Sequence, residues 1–307
     1  MVPSAAALPQ VLPTERLTAK GVARRPLRDE LRRIPTGRNV VTVVFAVVQT
    51  FGVVVAAAVV NTWWAWLAAF VWMGRGHALL NILAHEAAHR LLFPNRFAND
   101  QIGRWSLGYP TLQPFYAYRR AHFAHHRDEL GPDEPDTDLY RGYPITKRSW
   151  RRKLRRDVTG ESAYKNIKLL VAAVRKRAPE GLQILGVQAV LAGAAVATQR
   201  PLAYVVWIGS WCTLWKLSNR LRAIAEHGGM ERSADRRRTT HVIRQSWIAR
   251  FCMVPYNTGW HLAHHVDMAV PWRNLPRLQH ELVASGWVTP DAEYPSYRAF
   301  WRACSSG

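Results

Sequence analysis

The chain is short of cysteine and short of acid. Its three cysteines, Cys212, Cys252 and Cys304, stand far apart and none forms a C-x-x-C pair. That argues against a disulfide framework, a zinc ribbon or an iron–sulfur cluster of the chain's own. No G-x-G-x-x-G opens a βαβ unit, so a nucleotide-binding module is missing too. Acid is scarce: 21 Asp and Glu stand against 42 Lys and Arg, a formal charge of +21. Such an excess suits a polyanion such as nucleic acid, or an anionic membrane face. The first twenty residues lack the charged-then-apolar-then-small order of a cleaved signal peptide; their prolines predict a mobile arm. What is present suffices for a folded protein: 307 residues, 49% of them hydrophobic, with 14 Trp, fit one large domain or two ordinary ones.

Charge itself is missing from two windows. Residues 39–74 hold none over 36 positions, and residues 181–199 hold none, whereas one membrane span takes about 20 apolar residues. The first window contains a span at 39–60, a polar break at Asn61-Thr62, and most of a second at 63–84. The other supplies 181–199 and then 201–218, the last reaching spanning length if Lys216 snorkels to the interface. Val and Ala fill these windows on every face, without the polar stripe of a water-exposed helix, and Trp63, Trp64 and Trp66 suit an interfacial belt. The reading is two helical hairpins. Of the 42 basic residues, 39 fall in residues 1–39, 90–181 and 219–307, which puts both termini and the central segment in the cytoplasm. The basic run Lys147-Arg148-Ser149-Trp150-Arg151-Arg152-Lys153-Leu154-Arg155-Arg156 is the best nucleic-acid candidate, but it comes with no reading module. Flanked by spans, it reads as an interfacial helix on anionic headgroups, and no nucleic-acid partner is expected.

Eight of the twelve histidines fall into three clusters: His85-Glu86-Ala87-Ala88-His89, His122-Phe123-Ala124-His125-His126 and His261-Leu262-Ala263-His264-His265. On a helix, residues three and four apart share a face, so each cluster aims its imidazoles at one point. Imidazoles without thiolate suit Zn, Cu, Fe or Ni, and zinc rarely takes more than four ligands. Eight or nine nitrogens therefore argue for two metals. A rival reading takes His85-Glu86-x-x-His89 as the H-E-x-x-H of an intramembrane zinc protease, with Glu86 as base; it leaves six histidines idle. Arg75 and His77 lie inside the second span. Arg75 there is costly unless it faces the bundle interior, paired with an acid or with a polar part of a substrate. His77 projects about 80° from His85 and stays outside the metal set, while His241 and His280 read as structural.

Three such boxes around two hairpins resemble the integral-membrane fatty acid desaturase and hydroxylase superfamily, in its bacterial branch, over roughly residues 39 to 280. The segment Arg220-Leu221-Arg222-Ala223-Ile224-Ala225-Glu226-His227-Gly228 is similar to an Arg-rich turn that leads, in that branch, to an additional Glu-His ligand position. The resemblance implies an all-α integral-membrane fold: four transmembrane helices in two hairpins, with a cytoplasmic helical cap holding a di-iron site. Residues 1–38 would form a basic N-terminal segment, 39–290 the di-iron domain and 291–307 a tail. Iron ligation carries over to His85, His89, His122, His125, His126, His227, His261, His264 and His265. Supporting roles are expected for Glu86, Glu226, Asp267 and Asn219, the last in place of an Asn that relatives carry where this chain has Ala223. The acidic turn from Asp133 to Asp136 is similar to one following the second box in relatives.

The implied reaction is an O₂-dependent desaturation of an acyl lipid by two Fe ions, with hydroxylation of a lipid or other hydrophobic substrate as the alternative. No cytochrome b5 module is appended, so electrons would come from a separate ferredoxin or rubredoxin with its reductase, steered by the basic surface. The expected location is the inner cell membrane. Residues 103–118, rich in aromatics, are expected to lie in the headgroup zone, and the helix after the third box at residues 277–285.

Overall fold

The computed structural model describes residues 1–135 and 137–307 and is mostly helical. The helices are α1 (Leu27–Leu31), α2 (Thr36–Val60), α3 (Trp63–Ala88), α4 (Arg96–Gln101), α5 (Phe115–Arg127), α6 (Thr137–Tyr140), α7 (Lys147–Val158), α8 (Glu161–Arg175), α9 (Pro179–Ala197), α10 (Leu202–Ser210), α11 (Lys216–His227), α12 (Trp247–Cys252), α13 (His261–Val266), α14 (Leu275–Ala284) and α15 (Tyr297–Cys304). Two short strands, β1 (Val242–Ile243) and β2 (Glu293–Tyr294), pair in parallel.

The chain divides into two compact units. The apolar unit comprises Pro35–Arg119 and Arg151–Asn219. Its α2 ends where Asn61 turns left-handed (φ 50°) and Thr62 extends, a conformation Asn tolerates better than most residues. Among the described residues three helices, ending in α2, α3 and α9, are long and apolar enough to cross a membrane. They differ in burial. Val41, Phe45, Val48, Val55 and Val59 of α2 are more than half exposed, whereas most of α3 is covered. That places α3 at the centre of its unit, with α2 turning an apolar face outward. The stretch expected to span at 201–218 is helical but changes winding: α10 gives way to a π-helical segment, Trp211–Trp215, before α11 begins.

Residues 103–118 are mostly helical. A π-helical turn, Ile102–Gly108, and a 3₁₀ turn, Tyr109–Thr111, pack on α9, where Tyr109 donates to Gln183 at 2.8 Å and Gln188 donates to the Tyr109 carbonyl at 2.9 Å. Gly103 lets this segment approach α3 and α5 closely: a Cβ there would lie 2.7 Å from that of Ala87 and 2.6 Å from the Phe115 ring. Arg75 donates to Gln49 at 2.8 Å and stands 5.5 Å from the Trp72 ring centroid, so an amide and an aromatic face receive it.

The histidine-rich unit comprises Met1–Ile34, Arg120–Trp150 and Arg220–Gly307. Leu17, Ala23, Leu27 and Leu31 share one core with Leu262, Ala263 and Val266 of α13 and Leu275, Leu278 and Leu282 of α14. Arg16 pairs with Glu281 at 2.7 Å. The N-terminal segment, expected to be mobile, therefore packs against the helix of the third box. The C-terminal residues do the same elsewhere: Tyr297, Phe300 and Cys304 of α15 share a second core with Ile224 and Ala225 of α11. Helix α14 begins two residues earlier than expected, at Leu275, with Pro276 in its first turn, a position where the missing N–H is harmless.

Candidate metal centre

His85 lies on the last turn of α3 and His89 caps it; both are buried, with ring centroids 4.8 Å apart. That end of the helix is held by side chains. Arg119 donates to the carbonyls of Ala88 and Ala87, each at 2.9 Å, and pairs with Asp100; Asn99 donates to the Ala87 carbonyl at 2.8 Å. These bonds occupy carbonyls that a helix C-terminus otherwise leaves orphaned. Glu86 is 1% exposed, and its Oε1 stands 3.7 Å from His85 Nδ1, beyond hydrogen-bond range.

In the histidine-rich unit the other seven expected ligands converge from three helices. His122, His125 and His126 come from α5, His227 from the end of α11, and His261, His264 and His265 from α13. Two groups form. The ligand atoms of His125, His227, His261 and His265 lie within 4.8 Å of one another, as do those of His122, His126 and His264. In the first group Nε2 of His265 is 2.9 Å from that of His261 and 3.3 Å from that of His125, and His227 and His261 are 3.1 Å apart. In the second, His126 Nε2 is 3.1 Å from His122 and 3.0 Å from His264.

Tautomers decide what these contacts mean. His227 Nδ1 lies 2.8 Å from the Thr239 carbonyl oxygen, which only accepts, so Nδ1 carries the proton and Nε2 is bare. His125 Nδ1 meets the Glu134 carboxylate and His265 Nδ1 meets Glu129. Bare lone pairs facing each other at about 3 Å repel, unless a cation lies between them. Two nitrogens each ~2.1 Å from one ion and at right angles around it are themselves about 3 Å apart. The donor set therefore fits metal ions of imidazole preference. Burial, with neighbouring imidazoles second, pushes His227, His261 and His265 well below the ordinary histidine range, which keeps them neutral and competent as ligands.

Among the supporting acids, Glu226 stands 3.5 Å from His261 Nδ1 and 3.6 Å from Arg222. Asp267 receives Arg32 at 2.9 Å and caps Ala269 N at 3.1 Å. Asn219 sits half-buried two turns before His227 on α11. The imidazole partners that composition did not single out are Glu129 and Glu134. Both are buried; Glu129 also takes Arg236 and Thr239, and burial raises its pKa despite them. In the acidic turn Asp133 is exposed, Asp136 lies outside the described residues, and Glu134 reaches His125. Spacing offered one hint, since Glu129 follows His126 by three residues. Nothing in the sequence marked Thr239 or Arg236. His77 bonds the Trp207 carbonyl and His241 the Gly228 carbonyl.

Residues 61–301 match the fatty acid desaturase family. A stretch of 90 residues is 37% identical to the dihydrorhizobitoxine desaturase of Bradyrhizobium elkanii, covering 28% of this chain and 26% of that protein. The aligned part is thus about a quarter of the relative's length.

Proposed function

We propose, since the chain belongs to the fatty acid desaturase family, that it is an O₂-dependent membrane desaturase of a lipid or similar hydrophobic substrate. His125, His227, His261 and His265 would hold one iron, and His122, His126 and His264 would belong to a second; the family resemblance adds His85 and His89 of α3 to the ligand set. When bound, the metal pair supplies reductive activation of O₂ and hydrogen abstraction from an unactivated C–H bond. The chain's own residues do the rest. Glu134, Glu129 and the Thr239 carbonyl keep the Nδ1 protons in place and the Nε2 lone pairs bare. Arg236 balances Glu129, and burial excludes water from the imidazole groups.

The observation that carries this reading is the pair of Nε2 clusters at ligand spacing, with the opposite nitrogens of His125, His227 and His265 pinned. All the H-x-x-H-H histidines are used in it, which the zinc-protease reading leaves unexplained. We further propose a fourth span through residues 201–218, both termini in the cytoplasm beside anionic headgroups, and an external ferredoxin or rubredoxin as electron donor. Metal analysis of purified protein tests the core claim: about two irons per chain are expected, and a single zinc would sink it. Lipid profiles of cells with and without the protein then separate the outcomes. An added double bond supports desaturation, and an added hydroxyl moves the chain to the hydroxylase alternative.

A further inference from the structure

The metal centre leaves over one histidine inside the apolar unit. His77 on α3 is 0% exposed, and its Nε2 lies 3.0 Å from the Trp207 carbonyl oxygen. A carbonyl only accepts, so Nε2 carries the proton and Nδ1 presents a lone pair. That Nδ1 is buried without a partner. Two hydroxyls share the condition: Thr50 Oγ1 on α2 and Ser210 Oγ at the end of α10 are buried and unpartnered, in residues 0% exposed. The usual refuge of such a hydroxyl is the carbonyl one turn back. Thr42, Thr198 and Thr213 of the same unit take it, at 3.0, 2.8 and 2.7 Å; Thr50 and Ser210 do not.

The three groups share one neighbourhood. A Cβ at Gly76 would stand 3.2 Å from Thr50 Oγ1, so Thr50 abuts the turn of α3 that carries His77. Phe51 stacks on the Trp207 indole at 4.7 Å, and the His77 ring meets that indole edge-on at 4.9 Å. Ser210 follows Trp207 by three residues, on the same helical face. Buried donors and acceptors left unmade are costly in a medium without water.

We infer that His77, Thr50 and Ser210 form a binding site for one hydroxyl-type group, which donates to His77 Nδ1 and accepts from the two hydroxyls. A carbonyl or a methyl cannot do both. The hydroxyl comes from a buried water or from the substrate chain. His77 precedes His85 by eight residues, about 12 Å along α3, so a substrate hydroxyl bound there belongs to a chain oxygenated roughly that far from the first histidine box. This second source rests on the lipid reading above.

The double variant Thr50→Val with Ser210→Ala removes both donors, keeps their shapes and leaves the His77–Trp207 bond intact. Full-length protein in nanodiscs is melted alone, and its binding of stearic acid and 10-hydroxystearic acid is measured. A double variant that melts lower than wild type without lipid shows a water held at the site. One that melts unchanged or higher supports a substrate hydroxyl if wild type binds 10-hydroxystearic acid at least ten-fold more tightly than stearic acid and the variant loses that preference. Unchanged or higher melting with no preference in wild type, or with a preference the variant retains, overturns the site. If neither acid binds, the lipid substrate class fails on its own account, and melting decides: lower keeps the site, unchanged or higher removes it.

Discussion

Glu134 and Glu129 decide which nitrogen of His125 and His265 is bare, and so whether those rings can ligate. Glu134 is buried and also accepts from the Leu130 N–H, so its position is fixed by the chain as well as by the ring. Replacing it with Gln keeps the shape and weakens the charge-assisted bond. Glu134→Gln and Glu129→Gln are each expected to lower metal affinity about 10- to 100-fold, measured as metal retained after dialysis against graded chelator. Retention equal to wild type would remove the carboxylates from the centre. His125→Ala removes a ligand outright, with loss of desaturation and of bound iron as the expected result, checked by product assay and metal analysis; undiminished iron would show that this box does not ligate. The histidines were legible because helical spacing alone puts them on one face. Their acids were not, because Glu129 and Glu134 reach the rings through a turn whose path no spacing rule dictates.

Each ligand-bearing helix is anchored by its other side or by its end. The end of α3 depends on Arg119, 9% exposed, whose guanidinium joins the Ala87 and Ala88 carbonyls to Asp100. Arg119→Met keeps the bulk and takes the guanidinium from the Asp100 carboxylate and the Ala88 carbonyl, while Asn99 still holds the Ala87 carbonyl. Breaking a buried pair costs about 3 kcal/mol, so the melting temperature is expected to fall by about 5 °C or more; an unchanged value would show the network to be dispensable. Helix α11 depends on α15. Phe300 is 0% exposed and packs in the same core as Ile224 and Ala225, just before His227. Phe300→Ala is expected to destabilise by about 3–5 kcal/mol, read as a lower melting temperature, with faster metal loss from the chain. The long apolar windows foretold α2, α3 and α9 closely. They did not foretell the π-helical break at Trp211–Trp215, because a change of winding depends on what the neighbouring helices fit against.

Across the whole molecule, acid should be more damaging than base. His241 is buried, and burial holds its pKa down to about 4, whereas in the unfolded chain it titrates near ~6.5. A depressed histidine leaves stability intact above the unfolded value and loses it as pH falls from there towards 4, because the unfolded chain takes up the proton first. The loss from His241 alone is on the order of 3 kcal/mol. Buried His227, His261 and His265 act in the same direction, so melting temperature should drop steadily between about pH 6.5 and 4; a flat profile would contradict their burial as neutral rings. The excess of +21 is a property of this scale too. If its distribution sets orientation, a reporter active only in the cytoplasm should work at both termini. The sequence by itself determined which stretches are apolar enough to cross a membrane and which imidazoles share a helical face, since both follow from local periodicity. Only the tertiary structure decided that the N- and C-terminal segments build the cores behind α13 and α11, and that Glu129, Glu134 and Thr239 set the tautomers. Those contacts join residues distant in sequence, and their partners are chosen by packing and burial, which leave no periodic mark on the chain.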